Sequence, residues 1–97
     1  MIKVKVESDK ISILGHALYD DYGRDIVCAS ASSIVITTIN AIMSFDSNSI
    51  TYEKKKDALI IYILKKNKNT KLLLDNMINL LNELSSQYND NIKVIGG

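Results

Sequence analysis

The stretch Ile26 to Met43 runs for 18 residues without a glycine or a proline. It is the most apolar part of the chain, and it exceeds the length of an ordinary strand, about 3–10 residues. Length therefore predicts a mostly buried helix, and Asp25 is well suited to cap it, because a short carboxylate accepts from the free N–H groups of a first turn. Local preference argues the other way. Ile34, Val35, Ile36, Thr37, Thr38 and Ile39 are all β-branched, and such side chains favour strands. The small residues Ala29, Ser30, Ala31, Ser32 and Ser33 let the first turns approach a neighbour closely. Polar residues at Ser30, Ser32, Ser33, Thr37, Thr38 and Asn40 interrupt the run, which argues against a membrane span and against a membrane partner.

Around this helix the pattern changes period. Ile2, Val4 and Val6 alternate with Lys3, Lys5 and Glu7, as in a half-buried strand. Ser8-Asp9-Lys10 reads as a turn, and Ile11 to Leu14 restarts the alternation, so the two segments predict a hairpin that ends at Gly15-His16. Ala17 to Arg24 is polar and reads as a loop. Ser49 to Glu53 and Ala58 to Leu64 flank Lys54-Lys55-Lys56-Asp57, a second hairpin with a charged, solvated tip. Thr70 is a candidate cap for a further helix from about Lys71 to Tyr88, whose Leu73, Met77, Leu80, Leu81, Leu84 and Tyr88 recur at helical spacing and read as core. Ile92, Val94 and Ile95 make a last short strand. The order β-β-α-β-β-α-β predicts an α+β fold: a mostly antiparallel sheet with both helices packed on one face. Tyr52 and Tyr62 are placed on that sheet, either of them available to a dimer face.

A chain of 97 residues, 46% of them hydrophobic, fits a single domain over 1–97 with one core. Twelve basic and eleven acidic residues leave a net charge of +1, which gives no electrostatic reason to expect direct nucleic-acid binding. A lone cysteine makes no internal disulfide, and the N-terminal Met1-Ile2-Lys3-Val4-Lys5-Val6 has no signal-peptide core; both point to a cytoplasmic location.

That cysteine, Cys28, lies twelve residues after the single histidine, His16. A thiol and an imidazole are the minimum equipment for cysteine nucleophilic catalysis, since the base converts the weak thiol to a thiolate. With Asp25 as cap, Cys28 falls in the first helical turn, where unpaired N–H groups and the helix dipole favour an anion. In such places a thiol pKa of ~8.5 falls to between roughly 3.5 and 7.5. The same N–H groups suit the oxyanion of a tetrahedral intermediate. Asp25 has two readings, a helix cap or the orienter of His16, and its charge opposes thiolate formation unless one of them occupies it. Asp20 and Asp21 are further candidate orienters. Ser32, one turn beyond Cys28, reads either as a hydrogen-bonding member of the site or as a small packing residue. Tyr19 and Tyr22 read as an aromatic wall for a peptide or as ordinary loop residues. One Cys and one His make a poor zinc site, so no metal is expected.

The block Gly15-His16-Ala17, Gly23, Asp25-Ile26-Val27-Cys28-Ala29 and Ser32 resembles the signature of the ribosomal-processing cysteine protease family, Prp. The likeness extends through the element order to Ile92-Lys93-Val94. It departs at Ser30, where alanine is common, and in the heavy β-branched run Ile34 to Ile39. The resemblance implies a cytoplasmic, homodimeric endopeptidase without cofactors, of the kind found in Firmicutes and related bacteria. Such enzymes remove a short N-terminal extension from ribosomal large-subunit protein twenty-seven, cutting after an aromatic residue. It also implies Cys28 as nucleophile and His16 as general base, with Asp25, Ser32, Gly15 and Gly23 in supporting positions. Ala17, Leu18, Tyr19, Asp20, Asp21, Tyr22 and Arg24 would form, with Gly23, a loop that orders over bound substrate. The rival class is a non-catalytic, ribosome-associated binding module with an incidental thiol.

Overall fold

The computed structural model describes residues 1–15 and 26–96. Its elements follow in the order β1 (Ile2–Val6), β2 (Lys10–Leu14), α1 (Ile26–Phe45), β3 (Ile50–Lys55), β4 (Ala58–Ile63), α2 (Lys68–Gln87) and β5 (Ile92–Gly96). The expected β-β-α-β-β-α-β order is what forms. The five strands make one sheet in the order β3-β4-β2-β1-β5. All neighbours are antiparallel except β5, which runs parallel to β1.

Alternation sets the register. Val4, Ile13 and Leu59 lie abreast across β1, β2 and β4, and each is buried. Ile2 pairs with Ile92 on the same side. This is the face that the two helices cover, and the strands and both helices share one hydrophobic core. The opposite face carries Lys3, Lys5, Lys10, Lys55 and Lys93 around Leu14, Ser12 and Ile60. A one-residue slip of β1, β2 or β5 would exchange lysine for isoleucine or valine in the core, so their register is strongly specified.

The β-branched run Ile34 to Ile39 is helical, because tertiary burial overrides local preference. Val35, Ile39 and Ile42 are almost wholly buried against the sheet and α2. Thr38 fits the buried side by donating from its hydroxyl to the Ile34 carbonyl, 2.8 Å away. With a mean hydropathy of 1.9, α1 is long and apolar enough to cross a membrane by length and composition alone. Here its Val27, Ala31, Val35, Ile39 and Ile42 form part of the core.

Several expected boundaries move, for tertiary reasons. α1 continues past Met43 to Phe45. β3 extends through Lys54 and Lys55, which pair with Leu59 and Ala58, so the hairpin tip shrinks to Lys56-Asp57. Thr70 is not a cap. α2 starts at Lys68 with Asn67 at the cap position, and Asn67 makes no side-chain cap bond; its amide reaches the Asp46 carboxylate instead. Thr70 is wholly buried inside the first turn, where its hydroxyl donates to the Ser49 hydroxyl at 2.9 Å. In the leucine stripe, Leu74, Met77 and Leu81 are the buried members, while Leu80 is exposed. Tyr88 follows the helix and donates its N–H to the Leu84 carbonyl at 3.0 Å.

Candidate active site

The short link 46–49 fixes where α1 ends. It joins the helix to Ile50, which pairs with Ile63 beside the start of β2. A 20-residue helix spans about 30 Å, nearly twice the roughly 17 Å of a five-residue strand. Packed on the sheet, α1 therefore brings its first turn back to the other end, where β2 finishes at Leu14. Cys28 is the third helical residue there, in the turn whose N–H groups have no intrahelical acceptor. It is in no disulfide and is 5% exposed, with Val27 and Ala31 buried beside it. Ser32, one turn on, is equally buried on the same side of the helix. Burial disfavours a thiolate and the helix N-terminus favours one, so this position makes the state of Cys28 depend on what faces it.

Gly15 closes β2 with a φ of +114°, a conformation open essentially to glycine. A Cβ there would stand 2.7 Å from the Met1 carbonyl oxygen. Its N–H donates to the Asp57 carbonyl at 2.9 Å, which ties the strand end to the β3–β4 turn. The glycine expected at this supporting position is thus required by backbone geometry. His16 follows immediately and lies outside the described residues. So do Ala17, Leu18, Tyr19, Asp20, Asp21, Tyr22, Gly23, Arg24 and Asp25, and with them the alternatives for Asp25 and for the loop. Cys28, Ser32 and Gly15 are the site residues that the fold places.

Asp57 was not singled out from the sequence, where it looked like part of a solvated tip. Only the sheet order, which sets β4 beside β2, reveals that its carbonyl anchors the residue before His16. A groove of about 370 Å³ with an apolar floor of Val6, Ile11, Ile63, Leu74 and Ile78 and charged residues Glu7, Lys66, Lys71 and Asp75 in its lining lies at the far end of the sheet. It includes neither Cys28 nor Gly15 and is not the site of this chemistry. Among the described residues no cluster of three His, Cys, Asp or Glu side chains is placed to hold a metal.

A buried thiol in the first turn of a helix, in a chain whose single histidine follows the end of β2 in sequence, has the equipment of a cysteine peptidase. Comparison with known proteins makes this specific: residues 1–93 match the cysteine protease Prp family, and the chain belongs to it. It is similar to the ribosomal processing cysteine protease Prp of Staphylococcus aureus, with 34% identity over 83 residues, 82% of this chain and 78% of that protein. The Prp of Mycoplasma pneumoniae is 41% identical over 54 residues, 56% of this chain and 51% of its own. Among solved structures, the S. aureus Prp with a covalently linked product peptide superposes with a TM-score of 0.81 and 27% identity. That match covers 96% of this chain and 94% of the other. The same S. aureus protease with a substrate peptide gives 0.80 and 26%, covering 97% and 95%. The expected family, fold and enzyme class all hold.

Proposed function

We propose that this protease removes the N-terminal extension of the precursor of ribosomal large-subunit protein twenty-seven, acting in the cytoplasm as a homodimer. The observation that carries the chemistry is the place of Cys28 in the first turn of α1, together with a single histidine that follows Gly15 in sequence just after β2. Membership of a family whose relatives are ribosomal processing proteases supports the substrate class.

In this reading the Cys28 thiolate attacks the scissile carbonyl carbon. The C–S bond forms as the carbonyl π pair moves to oxygen, and N–H groups of the first turn receive that oxyanion. The tetrahedral intermediate collapses, the C–N bond breaks, and His16 gives the leaving amine its proton. Water, deprotonated by His16, then attacks the thioester, releasing the carboxylate and restoring the thiol. Asp25 and Ser32 support the pair, and the loop Ala17 to Arg24 closes over the peptide. A covalent peptide on the S. aureus relative is in keeping with such an intermediate.

The test is incubation with the cognate precursor and mass measurement of both products. A single cut after an aromatic residue near the precursor's N-terminus is expected, absent with Cys28→Ala. An intact precursor, or cleavage that survives Cys28→Ala, overturns the reading.

A further inference from the structure

The net charge of +1 averages over two unlike sides of the molecule. The open face of the sheet carries Lys3, Lys5, Lys10, Lys55 and Lys93, with Glu53 on β3 and Glu7 at the rim. Asp75, Glu83 and Asp90 lie away from it, on α2 or just after it. Lys10 stands 4.0 Å from Glu7 and Lys55 3.7 Å from Glu53, both exposed pairs. Lys3, Lys5 and Lys93 have no acidic partner among the described residues. Yet Lys3 and Lys93 are direct neighbours across β1 and β5, and Lys5 follows on the same face. Like charges so placed cost stability. Beside them the surface is hollowed: a depression of about 450 Å³ is lined by Lys5, Lys10, Ser12, Leu14 and Ile95. Ser12 lies in it on the central strand, 7% exposed. Its hydroxyl makes no hydrogen bond among the described residues, and its oxygen still meets solvent. On the next strand, β4, Ile60 and Tyr62 share this face, both half-buried, and the Tyr62 hydroxyl donates to Glu53 Oε1 at 3.3 Å.

We propose that the open face of the sheet binds single-stranded RNA, with phosphates along Lys3, Lys5 and Lys93 and bases over Tyr62 and Ile60. This goes beyond the activity above and does not depend on the peptidase chemistry.

The layout of the face selects this ligand over other anions. Lys3 and Lys5 are about 7 Å apart along β1, comparable with successive phosphates of an extended strand. β4 lies two strands from β1, about 10 Å away, so one nucleotide reaches from the lysine row to the Tyr62 ring. A basic track beside an aromatic platform holds single strands without regard to sequence, because every base has a face to stack. A duplex would offer only its phosphates and leave Tyr62 unused. The Ser12 hydroxyl lies between the two rows, and as both donor and acceptor it matches a ribose 2′-hydroxyl, which favours RNA over DNA. An acidic peptide would match the lysines but gain nothing from the ring. An anionic bilayer needs protruding apolar side chains, and Ile95 is the one large apolar residue exposed on this face among the described residues.

Fluorescence anisotropy of a labelled oligouridine of about 12 nucleotides, titrated with the full chain, tests this, with circular dichroism to confirm that each variant folds. Saturable binding is expected, weakening with salt at a log–log slope of about −2, as for three phosphates on a single strand. Lys3→Gln, Lys5→Gln and Lys93→Gln should each flatten that slope by about 0.7. Tyr62→Leu should weaken binding roughly fivefold or more. Ser12→Ala should erase the preference over oligodeoxyuridine of the same length, and Glu53→Gln, which takes an acid off the face, should tighten binding. Lys66→Gln and Lys71→Gln, in the groove at the far end of the sheet, should change nothing. No saturable binding at low salt overturns the proposal, and so does an equal loss from the Lys66 and Lys71 variants. Polyglutamate or phosphatidylserine vesicles that displace the RNA at equal charge would reduce the face to a general anion surface and overturn it too. Equal affinity for the DNA strand overturns the choice of RNA. Precursor cleavage is scored separately, so none of these results is confused with a failure of the peptidase assignment.

Discussion

The Gly15 N–H donates to the Asp57 carbonyl over 2.9 Å, so the residue before His16 is held by a turn more than forty positions away in sequence. The bond makes the β3–β4 hairpin part of the frame that holds the end of β2, after which the histidine follows in sequence. It also explains why the site needs a glycine at its strand end. The backbone turns through a φ of +114° while the Met1 carbonyl occupies the space where a side chain would begin.

Gly15→Ala tests that frame. The strained φ and the 2.7 Å Cβ contact together should destabilise the fold by about 1–3 kcal/mol. Precursor cleavage should fall more steeply than the folded fraction, because the shift occurs next to His16, the base of the proposed mechanism. Thermal denaturation alongside a cleavage assay at a temperature where the variant is folded separates the two effects.

The thiol and the imidazole are tested through protonation. A positive imidazolium beside the sulfur favours the thiolate, so removing it must raise the thiol's pKa. His16→Ala is therefore expected to slow iodoacetamide alkylation of Cys28 at neutral pH and move its pH–rate profile upward. A profile identical to the parent's would show that the two groups do not interact.

Cys28→Ser should leave the fold intact and cleavage nearly abolished, since a hydroxyl is far harder to ionise than a thiol at the same position. The measurement is the initial rate on the precursor peptide, with thermal denaturation as the folding control.

The buried hydroxyl pair offers a stability test remote from the site. Thr70 donates to Ser49, and Ser49 donates to the Asp46 carbonyl at 2.9 Å, which links the loop after α1 to the first turn of α2. Thr70→Val keeps the shape and removes the donor, so a loss of about 1–2 kcal/mol is expected in urea unfolding. Ser49→Ala breaks both bonds and should cost at least as much.

Core packing gives the largest expected change. Ile42 is wholly buried on the inner side of α1, so Ile42→Ala should cost about 2–5 kcal/mol through lost transfer energy and the cavity left behind. Ile36→Ala, on the exposed side of the same helix, should fall within about 0.5 kcal/mol of the parent when measured on the monomer.

Much of this protein is written in local pattern. Alternating Ile, Val and Lys in the first strand has only one register that keeps lysine out of the core, and the glycine and cysteine of the site stand where strand and helix ends were expected. The sequence by itself determined the element order, the strand faces, and the place of the thiol at a helix start. Local residue preference left three things to the tertiary structure. Ile34 to Ile39 became helix because burying Val35 and Ile39 on the sheet outweighs a preference of a few tenths of a kcal/mol per residue. Thr70 went inside rather than capping α2 because Ser49, twenty-one residues away, offers its hydroxyl an acceptor. The choice of which side of α1 faces the core had no local answer, since a helix with apolar residues all round and no charges points equally well in any direction. The sheet and α2 took one seam, and the other was left at the surface.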